Sequence, residues 1–186
     1  MKKNNKYINR NSVKIILIVL VLILCVFLYY QFFYKSKNNS NTRDVKSGEV
    51  VLYLSSEKVN YRVGEEIIVK AYVDTGGKAI NTVGIRLSYP TEFVEIERVD
   101  TLESFCELFP ENHFDNTQGL LIYSCGLPTP GFSDNKGLVG VFYFKAKKIG
   151  NFEIEFTDKT VVLANDGMGT NVLSKTEDLK LVTSSD

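Results

Sequence analysis

The chain has 186 residues, with 22 basic and 22 acidic side chains, three cysteines, no tryptophan and one histidine, His113. A Ser-His-Asp triad, a Cys-His dyad and a Cys/His zinc site all need imidazole, so most common catalytic constellations would depend on that one residue. The zero formal charge conceals an asymmetry: Lys2, Lys3, Lys6, Arg10 and Lys14 stand without an acid in residues 1–14, which leaves the rest of the chain acidic and uninviting to nucleic acid.

From Ile15 to Tyr34, IILIVLVLILCVFLYYQFFY, no side chain is charged and Gln31 is the only strongly polar one. At 1.5 Å per residue such a helix is about 30 Å long, the thickness of a bilayer's hydrocarbon core. A cleaved signal peptide would end in small residues, whereas this run ends in Tyr29, Tyr30, Phe32, Phe33 and Tyr34, side chains suited to the headgroup level. Cys25 follows Leu24 rather than a small residue, which fits a packing or lipid-facing thiol better than a lipoprotein cysteine. The denser basic cluster precedes the run. The expectation is therefore a cytoplasmic tail at 1–14, a single transmembrane helix at 15–34 and everything after it outside the cell.

Residues 35–48, KSKNNSNTRDVKSG, hold one apolar side chain, Val45, and read as a polar tether. Residues 49–186 are enough for one domain with a core of its own. VVLYL opens a strand at Val50. EIIVKAYVD, Glu66 to Asp74, alternates, with Ile67, Val69, Ala71 and Val73 on one face. After the turn TGGK, Thr82 to Tyr89 alternates again, with Val83, Ile85, Leu87 and Tyr89 inward and Thr82, Gly84, Arg86 and Ser88 outward, until Pro90 stops the ladder. FVEIERV continues as a strand. Thr101 to Gln118 has no sustained period and accommodates a short helix from Leu102 to Leu108.

GLLIYSC returns to strand, followed by the Pro/Gly-rich loop Gly126 to Gly137. Leu138 to Lys147 is apolar on both faces, as a central strand would be, and the link KIGN to FEIEF is so short that only an antiparallel hairpin fits it. TVVLAN, DGMGTN and LKLVT close the domain. About nine short strands and no long helix beyond residue 34 argue an all-β antiparallel sandwich. Cys106 and Cys125, an even pair in a compartment expected to be oxidising, read as a disulfide worth about 3 kcal/mol on the chain-entropy model, the alternative being two buried thiols.

Several stretches then resemble the cohesin module, a jelly-roll sandwich related to carbohydrate-binding modules. They are Ser55-Ser56 at the end of the first strand, NYRVGEEIIVKAYVDT with its Val63-Gly64-Glu65, AINTVGIRLSYPTEFVEIERV, GLVGVFYFKAKKIGNFEIEF with Phe144-Lys145-Ala146 and Gly150, and VLANDGMGTNVL. Together they span about Val50 to Leu173. The resemblance implies a nine-stranded jelly roll and a non-catalytic protein that holds a dockerin-type partner without any cofactor. It also implies that the docking surface uses the outward residues of Thr82–Ser88. Where cohesins often carry an Asn and an Asp, this chain has Thr82 and Gly84, and Cys106 and Cys125 lie outside the usual pattern.

The residues offer several candidate sites. The row Thr82, Gly84, Arg86, Ser88 could dock a protein, Gly84 admitting a partner's backbone and Arg86 offering a forked donor to carboxylates; its alternative is a solvated sheet face. Tyr72, Tyr123 and Phe132 could stack on sugar rings and bind polysaccharide, or pack in the core. Asn165, Asp166, Gly167 and Asn171 carry calcium-type oxygens without the loop spacing that calcium needs, and read first as a turn. Glu107 with Glu111, or Glu153 with Glu155, could be drawn as a glycosidase pair, although i, i+2 glutamates on a strand are ordinary surface decoration. The expectation is a membrane-anchored recognition module for a dockerin-type protein; the alternatives are polysaccharide binding and an accessory subunit of a membrane complex.

Overall fold

A computed structural model describes residues 48–185, together with Leu24. The expected tail at 1–14, the span at 15–34 apart from Leu24, and all of the 35–48 tether but Gly48 lie outside the described residues, among which no helix is long and apolar enough to cross a membrane.

The described chain is built of twelve strands: β1 (Val50–Ser56), β2 (Asn60–Arg62), β3 (Glu66–Asp74), β4 (Ile80–Ser88), β5 (Val94–Asp100), β6 (Leu108–Asp115), β7 (Leu120–Gly126), β8 (Gly137–Ala146), β9 (Gly150–Phe156), β10 (Val161–Ala164), β11 (Leu173–Glu177) and β12 (Leu179–Ser184). Alternation makes them strands. Ile67, Val69, Ala71 and Val73 of β3 are all fully buried, as are Val83, Ile85 and Leu87 of β4, while the residues between them are mostly half-exposed. A strand apolar on one face only must bury that face against a second layer, and two sheets result. One runs β11-β1-β3-β8-β5; the other, seven-stranded, runs β2-β12-β9-β4-β7-β6, with β10 also on β4. Between them lie Phe142 and Phe144 of β8, Ile154 of β9 and Tyr123 of β7, all fully buried.

Four expectations are corrected. The sheets are mixed rather than antiparallel throughout, because β1 pairs in parallel with β11 and β12 with β2. The count is twelve rather than about nine: β2 has three residues and β11 only partly buried or exposed ones, too little for a periodic signal. The helix expected at Leu102–Leu108 is absent; turns occupy 101–107, and β6 begins at Leu108, with a register shift between Leu108 and Glu111 that accommodates Pro110. Finally, β8 and β9 do not form a hairpin. β8 lies between β3 and β5, whereas β9 pairs with β12 and β4, so the link crosses from one sheet to the other. Gly150 makes that corner: its φ is 154°, and a Cβ there would lie 2.4 Å from the ring of Phe93.

The β6–β7 turn is clasped onto β5 by Asn116. Its Oδ1 accepts from the Ile96 N–H (2.9 Å) and the Tyr89 hydroxyl (2.8 Å), and its Nδ2 donates to the Ile96 carbonyl (2.9 Å). The amide thereby stands in for the next strand at the edge of β5.

Candidate docking face

Pairing register lays out the outer surface of the larger sheet. Val83, Ile85 and Leu87 of β4 sit opposite Cys125, Tyr123 and Leu121 of β7, all fully buried toward the core. Their strand neighbours therefore face away from it. One row runs Leu163, Thr82, Gly126, Leu108 across β10, β4, β7 and β6; the next runs Val161, Gly84, Ser124, Glu111. Then follow Arg86, Ile122, His113, and Ser88, Leu120, Asp115, with Glu155 of β9 opposite Ser88. The first two rows are small or apolar up to their β6 ends, and the carboxylates of Asp115 and Glu155 lie at the opposite margin.

All four residues of the expected docking row share this face, and the tertiary contacts show how each is used. The space above Gly84 is not open, since a Cβ there would meet Val161 Cγ2 at 3.1 Å. Arg86 is likewise engaged. Its Nη2 donates to Glu111 Oε2 at 2.7 Å, and its Nη1 to the carbonyls of Ile85 (3.0 Å) and Tyr123 (3.3 Å). The guanidinium of Arg86, followed by the Ser124 hydroxyl and His113, holds the Glu111 carboxyl below the usual range. Both side chains reach water, so the pair is worth at most about 1 kcal/mol. Thr82 and Ser88 are half-buried and face outward.

Cys106 and Cys125 form the expected disulfide, with their Cα atoms 5.7 Å apart. It ties the 101–107 connection to β7 beside Leu108, which is 59% exposed at the end of the first row.

The other candidates do not converge. Tyr123 is not a surface ring: it is fully buried and donates its hydroxyl to the Val139 carbonyl at 2.7 Å, and burial pushes its phenol up. Tyr72 stacks on Tyr53 on the smaller sheet, ring centres 5.4 Å apart, with Lys136 Nζ 5.2 Å away. Phe132 stacks on Phe105 at 4.0 Å. Asn165, Asp166 and Asn171 bond to the main chain at Pro130, Met168, Val162 and Leu173, which makes them turn-formers. Glu111 is held by Arg86 and Glu153 lies 3.7 Å from Lys180. The residues that sequence reading missed on the docking face are Ile122, Val161 and Leu163. The alternation in GLLIYSC and TVVLAN places them outward, but only the pairing register brings them beside β4.

No protein-family model matches the sequence, and no curated protein matches it. Solved structures do. The seventh ScaB type I cohesin from Pseudobacteroides cellulosolvens aligns with a TM-score of 0.58 at 17% identity, covering 74% of this chain and 94% of that one. The third ScaC cohesin of Acetivibrio cellulolyticus, solved in complex with the ScaB dockerin, aligns at 0.61 and 16%, covering 73% and 99%. A non-cellulosomal cohesin from the archaeon Archaeoglobus fulgidus aligns at 0.58 and 16%, covering 74% and 92%. The likeness extends over nearly the whole of each of these chains, and the fold of the described residues is a cohesin fold.

Proposed function

We propose that this chain is a non-catalytic recognition module that docks a dockerin-type protein on the outer face of β10, β4, β7 and β6. In this reading residues 15–34 anchor it in the cell membrane, with 1–14 in the cytoplasm and the sandwich outside. The carrying observation is the pair of adjacent rows Leu163-Thr82-Gly126-Leu108 and Val161-Gly84-Ser124-Glu111, which cross four strands of the sheet with Glu111, at the β6 end, the one charge among them. Such a patch offers a desolvatable centre beside a polar margin, the anatomy of a protein interface. A structurally similar cohesin is known bound to a dockerin.

The test measures binding of the full chain, in mild detergent, to dockerin modules encoded in the same genome. Ile122→Glu places a charge on the face, in the row next to those two, and should weaken binding at least tenfold, while Lys175→Glu on the smaller sheet should leave it unchanged. Retention of the chain on polysaccharide, with no dockerin bound, would overturn the reading. The anchor is checked separately: carbonate washing should leave the full chain in the membrane pellet and release a chain lacking 15–34.

A further inference from the structure

We propose that β6 is a self-pairing edge, through which two copies of this chain join their larger sheets into one. Of the five sheet edges, β2, β10 and β11 are three, four and five residues long, β10 also being covered by bonds from Val172 to Val162 and from Ala164 to Thr170, and β5 is clasped by Asn116 at Ile96. β6 is eight residues long, and among the described residues its outer side has no neighbour.

The direction of its free hydrogen-bonding groups follows from β7. Along a strand, N–H and C=O groups of alternate residues point to the same side. Leu127 donates to Asn81 and Gly119 accepts from Tyr89, both at 2.9 Å, so odd-numbered residues of this run face β4; Gly126 accepts from Glu107 at 2.9 Å, so even-numbered ones face β6. Glu111, His113 and Asp115, opposite Ser124, Ile122 and Leu120, therefore turn their backbone groups onto β7. Asn112 and Phe114 present N–H and C=O at the open edge, and Pro110 presents a carbonyl with no N–H.

Two copies related by a two-fold axis normal to the sheet must oppose residues of the same face, so the axis passes through one residue. An axis at Glu111 sets that carboxylate against itself. One at His113 sets Glu111 against Asp115 twice. One at Phe114 overlaps only three residues, and one at Pro110 finds no donor there. An axis at Asn112 has none of these faults. Asn112 N–H reaches the Asn112 carbonyl of the second copy, Phe114 N–H reaches the Pro110 carbonyl, and both bonds recur by symmetry, so every open donor is used. Glu111 then lies opposite His113 of the second copy at a non-hydrogen-bonded position, where Cβ atoms are about 4.5–5.5 Å apart. On the other face Phe114, 37% exposed, covers Pro110 of the second copy. This two-fold turns both outer faces the same way, side by side, whether or not they dock a dockerin.

Cysteine cross-linking reads the register directly. In this pairing the Cα atoms of Asn112 lie about 5.5 Å apart, within disulfide reach, whereas Glu111 and His113 each lie about 8 Å from their own copies. In the full chain carrying Cys25→Ser, in mild detergent, oxidised Asn112→Cys should yield at least fivefold more covalent dimer than Glu111→Cys, His113→Cys or the remote control Lys159→Cys. Equal yields at all four, or none at Asn112, would overturn the proposal. Sedimentation velocity of the chain without added cysteines provides a second measure: a concentration-dependent dimer whose dissociation constant rises at least tenfold with Phe114→Lys supports it, and a monomer at every concentration overturns it.

Discussion

Asn116 and Tyr123 carry more of the fold than their surroundings in sequence suggest. Asn116 sits in the polar run FDNTQ, and its partner Ile96 is 20 residues away; nothing in the spacing of either predicts the clasp. Asn116→Ala removes three hydrogen bonds from a partly buried site, and the midpoint of urea unfolding should show a loss of about 2–3 kcal/mol. Tyr123 was legible, since it stands in phase with Leu121 and Cys125 in an alternating strand, which argues for the core rather than a glycan platform. Gly140 is complementary to it, because a Cβ at that position would lie 3.0 Å from the Tyr123 hydroxyl. Gly140→Ala should therefore cost about 1–3 kcal/mol. Tyr123→Phe alone should cost about 1 kcal/mol, as Ser104 Oγ also donates to the Val139 carbonyl at 2.7 Å. The double variant should be less damaged than the sum of the two, because the phenylalanine lacks the oxygen nearest the new methyl; strict additivity in the denaturant series would refute this steric account.

Among the elements, β3 and β4 could be read from the chain because their inward side chains alternate over nine residues, and β8 because it is apolar on both faces over most of its ten. β6 could not. Its proline, its register shift and its mostly exposed or half-exposed side chains erase the period, and it becomes a strand through β7 on one side and the disulfide at its start. Breaking that bridge with Cys106→Ser and Cys125→Ser should lower stability by about 3 kcal/mol. Amide exchange should accelerate most in β6 and the 101–107 connection, and least in β3 and β8; uniform acceleration would mean that the bridge acts only through the unfolded chain. The β8–β9 link illustrates the opposite error. Its length suits a hairpin, but the two strands bury their apolar faces from different sheets, and Gly150 lets the chain turn between them instead.

For the whole molecule, the perturbed groups share a sign at each end of the pH scale. Glu65 is lowered by Lys58, Glu111 by Arg86, Asp115 by the Thr117 hydroxyl and Asp166 by Thr170. A carboxyl lowered on folding stabilises the native state above its unfolded value, near 4, and loses that contribution as pH falls through the folded value. Burial, with Asp115 adding to it, raises Tyr89 to about 12, and burial raises Tyr123 further. Each contributes fully below the unfolded phenol value, near 10, and loses its contribution as pH rises through the folded one. Melting temperature should therefore plateau between about pH 5 and 9 and fall on both sides; a maximum near pH 4 would contradict the carboxylate assignments. The sequence by itself determined that the chain beyond residue 48 is all-β, which face of β3 and β4 is apolar, and that residues 15–34 carry no charge and one strongly polar side chain, because side-chain periodicity and polarity are local properties. Only the tertiary structure decided which strands are neighbours, that Arg86 is already engaged by Glu111, and that Val161 fills the space over Gly84. These are contacts between residues far apart in the chain, set by the registers that let two sheets bury one shared core.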